Sequence, residues 1–199
     1  MIRRFFLRCV VSLLVLGSGA VLMPGVGVAQ DAAGFVQSLG NDAISTLARG
    51  NLGPDGISDR FRQVLRSNFD TAAIGQFVLG RYWPQATPAQ QQEYLSLFEK
   101  MIVKVYADRF RQYSGETFQV TSSRPDASGD TMVQSQVVRP SGPPVNVEWR
   151  VRGGSRIVDV IVEGVSMSVT QRSEFASVIQ SSGGQIEGLL RSLRQRVGG

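Results

Sequence analysis

The stretch WRVRGGSRIVDVIVEGVSMSVTQRSEF, residues 149 to 175, indicates how the second half of the chain folds. Its first residues complete a strand over 145–152 in which apolar and polar side chains alternate, the pattern of a sheet with one wet face. The glycines and the serine at 153–155 tolerate the positive φ angles of a tight hairpin, so a second strand is expected over 156–163. These residues therefore predict two successive antiparallel strands.

The end of the same stretch predicts where the sheet closes. Gly164 interrupts the second strand at the place of a bulge or a sharp bend. Val165, Met167 and Val169 continue the alternation, and a helix is expected from Gln171 onward. On this pattern the chain stays extended as far as Val169.

Two further strand patterns precede this stretch. They cover Phe118–Ser123 and Thr131–Val138, and short loops rich in proline, glycine and serine separate the strands. Connections this short join neighbouring strands in antiparallel order. The sequence therefore predicts a curled four-stranded antiparallel sheet.

Helical periodicity marks the segments on either side of the predicted sheet. Apolar residues recur at spacings of three and four in six segments, which are Asp31–Arg49, Ile57–Phe69, Asp70–Leu79, residues 88–112, Gln171–Gln180 and Gln185–Arg196. Four of these segments precede the sheet and two follow it. Helices first, an antiparallel sheet second and closing helices last predict an α+β fold.

The helix over 88–112 carries the clearest local signals. Thr87 and Gln90 form the two halves of an N-terminal capping box. Its apolar stripe continues for about four and a half turns, and a stripe of that length must be covered by something large. Two interpretations stay open. The helix is a core helix that lies across the sheet, or its aromatic residues and Met101 also line a ligand cavity.

The first 29 residues predict a cleaved secretory signal. Three arginines precede an apolar segment over 9–23, and Gly27-Val28-Ala29 places small residues before a signal-peptidase site. The apolar segment is shorter than the ~20 residues that a membrane anchor needs. Residues 3–8 also match the twin-arginine export pattern, so the export route stays open. Residues 30–199 are then expected to form one domain outside the cytoplasmic membrane.

Composition excludes several function classes. Loss of Arg3, Arg4 and Arg8 with the signal lowers the 21 basic residues to 18 against 16 acidic ones, so the formal net charge falls from +5 to +2. That balance does not support nucleic-acid binding. Cys9 is lost as well and the chain has no histidine, which excludes disulfides, thiolate metal sites and the Ser-His-Asp triad. No cofactor motif is present, and the protein is not expected to be an enzyme.

One acidic and basic group stands near the end of the sheet. Asp159, Glu163 and Arg172 could act together, but a structural salt bridge or a helix cap is the interpretation that their spacing favours. The sequence Gly164-Val165-Ser166 suggests a nucleophile elbow, yet it lacks the second glycine of that motif. Neither feature predicts catalysis.

An ordered set of short segments runs through the chain: LGRYW at 79–83, DV at 159–160, EGVS at 163–166, RSEF at 172–175, and Gly184 followed by IE at 186–187. In this order they resemble the MlaC family, once called toluene-tolerance proteins, over nearly the whole mature chain. The resemblance implies an NTF2-like arrangement of the helices and the sheet. It also implies a soluble periplasmic carrier that holds a phospholipid by its acyl chains, although one branch of the family is associated with hopanoid lipids.

The leading hypothesis is thus a periplasmic lipid carrier with an apolar cavity between helix 88–112 and the sheet. The resemblance implies two partners, an inner-membrane ABC-type complex and an outer-membrane lipoprotein complex, which together maintain outer-membrane lipid asymmetry. Residues predicted to contact lipid are Leu79, Trp83, Phe98, Met101, Ile102, Val105, Val147, Trp149, Val160, Val162, Val165 and Met167. Two alternatives stay open, namely a hopanoid-binding or hopanoid-metabolising protein and a structural adaptor with a solid core.

Three arginines form a separate hypothesis. Arg60, Arg62 and Arg66 lie within seven residues, largely off the apolar stripe of their predicted helix. In a mature chain of low net charge they predict a local positive patch that docks a partner or approaches anionic head groups. An ordinary solvated helix face is the alternative.

Overall fold

The structure, a computed structural model, describes residues 24–48, 53–110 and 114–198. In chain order the helices before the sheet are α1 (Pro24–Ala48), α2 (Pro54–Asn68), α3 (Thr71–Leu79), a 3₁₀ helix (Gly80–Gln85) and α4 (Pro88–Phe110). The strands are β1 (Thr117–Pro125), β2 (Thr131–Val138), β3 (Val145–Arg152), β4 (Arg156–Val162) and β5 (Val165–Ser166). The chain closes with α5 (Met167–Ser181) and α6 (Ile186–Gly198). The predicted α+β class is confirmed.

The sheet is an antiparallel meander in the order β1-β2-β3-β4-β5, so the described ranges contain five strands where four were predicted. Glu163 and Gly164 both adopt positive φ, 49° and 79°, and make a two-residue turn after β4. This turn brings Val165 opposite Val162, which creates the short fifth strand.

The prediction that the chain stays extended as far as Val169 is wrong. The Ser166 hydroxyl accepts a hydrogen bond from the backbone N–H of Val169 at 3.1 Å, which makes Ser166 the N-cap of α5. Such a cap satisfies one of the free N–H groups of the first turn, and it starts the helix at Met167. The alternation of Val165, Met167 and Val169 therefore predicted local structure less well than the capping serine did.

Helix α1 covers the sheet at its β1 edge. The side-chain amide of Gln37 accepts from the backbone N–H of Val120 at 2.9 Å and donates to the carbonyl oxygen of Phe118 at 3.4 Å. It thereby pairs with backbone groups on an edge strand. A Cβ placed on Gly40 would lie 2.0 Å from the Phe118 ring, so only glycine allows this close approach. Helix and sheet share a core of Ala32, Val36, Val133, Val151 and Ile157.

Helix α4 starts with the predicted capping box, in which the Thr87 hydroxyl accepts from the Gln90 N–H at 3.2 Å and the Gln90 side chain accepts from the Thr87 N–H at 3.1 Å. The prediction that a core helix lies across the sheet is nevertheless wrong for this helix. Its main contacts are with α6, α2 and α3. It therefore belongs to a separate helical layer.

That helical layer has a core of its own, in which α4, α5 and α6 meet. Tyr94, Phe98 and Phe175 form an aromatic cluster there, with ring centroids 5.7 to 6.2 Å apart. Leu189, Leu190 and Leu193 from α6 are buried against it. The Tyr94 hydroxyl donates to the Gly75 carbonyl oxygen at 3.0 Å, and burial raises the pKa of this phenol above its ordinary value. The described residues thus form two separate hydrophobic cores.

Most of the predicted signal lies outside the described residues, and its cleavage after Ala29 stays a prediction. Within the three described ranges, no helix combines the length and the apolar character that crossing a membrane requires.

Candidate functional site

A cavity of about 1150 Å³ lies between the sheet and the surrounding helices. Residues of α1, α2, α3 and α4 face residues of β3 and β4 across it, and the start of α5 contributes as well. This volume exceeds the ~1,000 Å³ at the upper end of sites for drug-sized ligands. Most of the lining side chains are aliphatic or aromatic. The cavity therefore suits a large apolar ligand.

Seven of the twelve residues predicted to contact lipid line this cavity: Phe98, Ile102, Val147, Trp149, Val160, Val162 and Met167. They come from α4, β3, β4 and the first residue of α5. The cavity thus lies between the long helix and the Trp149-bearing sheet, the two elements that the sequence predicted to face each other. Whether these residues contact lipid stays a prediction.

The other five predicted residues are absent from the cavity wall. Leu79 and Met101 are only 2% and 4% exposed in the helical core, and Trp83 packs against that core. Val105 and Val165 are 47% and 53% exposed on the outside. Within α4, the rotation of the helix buries Met101 in the core shared with α6 and places the next residue, Ile102, between that core and the cavity. Periodicity identified an apolar stripe but could not divide it between two environments.

Several wall residues were assigned only to helix stripes or strands by the sequence. Leu39, Ala43 and Ile44 come from α1, Ile57, Phe61 and Val64 from α2, Ile74 from α3, and Phe118 and Val137 from the sheet. The helical residues among them recur at spacings of three and four in the sequence, and these spacings predicted buried helix faces. Nothing in those spacings indicated that the faces would meet at a cavity instead of a packed core.

Trp149 shows how an amphipathic residue is held in this wall. Its indole N–H donates to the Ser135 hydroxyl at 2.8 Å, and that hydroxyl donates to the Val147 carbonyl oxygen at 3.0 Å. The Phe118 ring packs edge-on against the indole at 6.1 Å. Because the polar N–H is satisfied within the sheet, the ring can face an apolar ligand without an unpaired donor.

The carboxylate of Asp159 also lines the cavity, but the start of α5 uses its oxygens. They accept from the Ser166 hydroxyl at 2.6 Å and from the Ser168 backbone N–H at 3.1 Å. Glu163 instead accepts from the backbone N–H of Asn146, and the guanidinium of Arg172 lies over the Phe77 ring at 5.1 Å. The three residues have separate structural roles, and the helix-cap interpretation of Asp159 is confirmed.

Four charged residues line the end of the cavity where β1 begins and β2 ends: Asp42, Arg60, Glu116 and Arg139. Arg60 donates to the Gln63 side-chain oxygen at 2.9 Å, and Arg139 donates to the Pro143 carbonyl oxygen at 2.7 Å. Glu116 accepts from the Ser114 backbone N–H at 2.8 Å, and this bond holds the pKa of the carboxyl below its ordinary value. We call these four residues the charged rim.

The family model for the MlaC protein matches residues 37–195 of the chain. The chain belongs to the MlaC family. The match includes the five described strands and most of both cores; it begins within α1, just after Val36 of the sheet core, and ends within α6. The expected family is thereby confirmed.

This MlaC-family protein is similar to two characterised proteins. Toluene tolerance protein Ttg2D of Pseudomonas putida is 22% identical over 138 residues, which cover 67% of this chain but only 64% of that relative. A solved structure of the phospholipid-binding protein from Ralstonia solanacearum, in complex with a phospholipid, is 27% identical and superimposes with a TM-score of 0.71. The match covers 84% of this chain and 97% of the Ralstonia chain. The predicted architecture therefore has a solved counterpart.

The α2 arginines do not form one unpaired positive patch in this MlaC-family protein. Arg62 pairs with Asp59 at 2.6 Å, and Arg66 pairs with Glu99 at 2.7 Å. Arg60 belongs to the charged rim. Each ion pair neutralises part of the local field, so the patch is weaker than the sequence suggested.

In the described part of the chain, no three His, Cys, Asp or Glu residues come together in a way that could hold a metal ion.

Proposed function

We propose that this MlaC-family protein is a periplasmic carrier that holds the acyl chains of a phospholipid in the cavity between its two cores. The observation that carries the proposal is the cavity of about 1150 Å³ with its largely apolar wall. An empty apolar space of this size forfeits packing contacts that a solid core would make. A ligand that fills the space supplies those contacts.

The volume and the chemistry of a two-chain lipid fit this space. If a methylene occupies about the ~30 Å³ of a water molecule, then about 30 methylenes fill roughly 900 Å³. At ~0.8 kcal/mol per methylene, the same chains resist entering water by on the order of 20 kcal/mol. A cavity that shields the chains removes most of this barrier to crossing an aqueous compartment, and the task needs no catalytic residue.

The comparison with the Ralstonia protein supports a phospholipid as the ligand. The structure of that protein contains a phospholipid. The present chain shares the fold of the Ralstonia protein over 97% of the Ralstonia chain. The adaptor hypothesis, by contrast, required a solid core between the helices and the sheet. The proposal therefore assigns the cavity to lipid transport.

We expect protein purified from the periplasm to carry lipid. Transfer of both acyl chains back to water is too costly for the lipid to be lost during purification. Native mass spectrometry should detect a bound mass that denaturation releases, and lipid analysis of the extract should identify a glycerophospholipid. Folded protein that is repeatedly free of lipid would refute the carrier function, and a bound hopanoid would change the ligand.

The carrier must exchange its cargo with donor and acceptor complexes, which we propose to be an inner-membrane ABC-type complex and an outer-membrane lipoprotein complex. Arg62 and Arg66 are surface groups on α2, the helix that contributes Phe61 and Leu65 to the cavity wall. We assign these two residues to partner docking, whereas Arg60, the third arginine of the predicted patch, lines the cavity. Long-range attraction to an acidic partner would raise the encounter rate without changing how tightly the lipid is held.

Reversal of two of these charges, Arg62→Glu with Arg66→Glu, is expected to slow transfer to membranes that carry the partner complex. Arg60 is left unchanged because it lines the cavity. The association rate of electrostatically steered partners falls about tenfold or more when the field is removed. The difference in rate between the variant and the wild-type protein should fade above ~0.15 M salt. Stopped-flow transfer of a fluorescent lipid measures the rate. The matched control reverses Arg191 and Arg196, two exposed arginines of α6. An equal effect of both pairs would rule out a specific docking site.

A further inference from the structure

The charged rim lies at one end of the sheet. Thr117 of β1 pairs with Val138 of β2, so the adjoining residues Glu116 and Arg139 lie side by side where this strand pair ends. Helix α1 follows β1 towards the same end, since Gln37 bonds to Val120 and Gly40 contacts Phe118. Asp42, two residues beyond Gly40 on α1, lines the same cavity as Glu116.

Arg60 joins this group from α2. Asp42 and Arg60 together line the cavity and also a second, smaller depression between α1 and α2. The described wall has one further charged residue, Asp159, whose oxygens cap the start of α5. The rim therefore holds two guanidinium groups and two carboxylates, and its formal charges balance.

The two arginines keep donors for a ligand. Arg60 uses one N–H group for Gln63, and Arg139 directs its bonds at the single carbonyl oxygen of Pro143. A guanidinium has five N–H donors in a planar fork, a geometry that suits two oxygens of one phosphate. In the described ranges neither arginine forms an ion pair with a carboxylate.

The two carboxylates complement the opposite charge. An ammonium group has three donors and no acceptor, so it pairs with carboxylate oxygens. The backbone N–H and the hydroxyl of Ser114 both donate to the Glu116 carboxylate at the cavity wall, and Asp42 is exposed on α1. An anionic head group without an ammonium would place its phosphate near these two carboxylates, which repel it. The carboxylates would also stay without a positively charged partner. A neutral hydroxyl head group would offer hydrogen bonds but no opposite charge to the arginines or the carboxylates.

We propose that the charged rim selects a zwitterionic phospholipid, with Arg60 and Arg139 on the phosphate and Asp42 and Glu116 on the ammonium group. This inference rests on the proposed carrier function. The apolar cavity can select a lipid only by the volume of its acyl chains, whereas the charged rim would select the class of head group. Since exposed ion pairs are weak, the selection is expected to be modest, roughly 2- to 10-fold.

The test offers the purified protein vesicles that contain equal amounts of phosphatidylethanolamine and phosphatidylglycerol with identical acyl chains. Native mass spectrometry then reads both the total bound lipid and the ratio of the two lipids. We expect ethanolamine lipid to be enriched roughly 2- to 10-fold over the vesicle ratio. The double variant Asp42→Asn with Glu116→Gln should bring the ratio close to that of the vesicles.

A matched control, Glu174→Gln with Glu187→Gln, removes two negative charges away from the cavity wall and should keep the wild-type ratio. A wild-type ratio equal to that of the vesicles, or an enrichment that survives the rim variant, would overturn head-group selection. Either result with lipid still bound leaves the carrier function intact. Failure of the wild-type protein to bind either lipid would overturn both proposals.

Discussion

Replacement of Ile102 by Asp is expected to empty the cavity of lipid and to leave the protein folded. Ile102 lines the cavity on α4 and is partly buried. In the lipid-free protein, water can enter the cavity and hydrate a carboxylate at this position. Acyl chains would displace that water and leave the charge without a partner, which costs several kcal/mol. A cost of about 4 kcal/mol corresponds to roughly a thousandfold loss of lipid affinity.

The neighbouring residue supplies the control. Met101 is 4% exposed and packs in the helical core, so Met101→Asp buries a charge that no water can reach. This variant is expected to unfold or to fail to accumulate. Lipid occupancy by native mass spectrometry and thermal melts by circular dichroism separate the two outcomes. Normal lipid occupancy in a folded Ile102→Asp protein would show that acyl chains do not occupy this part of the cavity.

Truncation of Ile179 to Ala is expected to lower the free energy of unfolding by about 2–5 kcal/mol. Ile179 has no exposed surface, and it lies in the core shared by α4, α5 and α6. The loss combines the burial energy of the deleted methyl groups with the void they leave, because close-packed neighbours collapse only in part. Urea denaturation of lipid-free protein is the appropriate measurement, since a bound lipid would add its own stabilisation.

The same substitution at the cavity wall provides the comparison. Ile57 lines the cavity and is half-buried on α2, so Ile57→Ala removes methyl groups that already border open space. We expect a cost of no more than about 1 kcal/mol at this position in lipid-free protein. An equal loss at both positions would mean that the cavity is closed in solution and that its wall packs as a core.

Much of the local structure was predictable from short segments. The capping box at Thr87 and Gln90, the glycine hairpin after β3 and the strand ranges of β2 and β3 all depend on residues close together in sequence. The fifth strand was missed because two residues, Val165 and Ser166, carry too little pattern to mark a strand before a helix. A serine at a helix start outweighed three alternating apolar residues, since a satisfied N–H group stabilises the first turn directly.

The cavity was predictable only in part. The sequence identified the long helix and the Trp149-bearing sheet as apolar faces, and residues of both do line the cavity. It failed for Met101, which adjoins Ile102 in one stripe but is buried in the helical core and does not line the cavity. The contributions of α1 and α2 also went unrecognised, although their stripes were plain.

By itself, the sequence determined the order of helices and strands, the lack of any histidine, and which side chains must leave water. Only the tertiary structure decided which of those side chains pack against one another and which surround an open space. The physical reason is that the hydrophobic effect has no direction: it removes apolar surface from water without specifying what covers that surface. In this protein α6 covers one part of the α4 stripe, and the other part faces a space of lipid size.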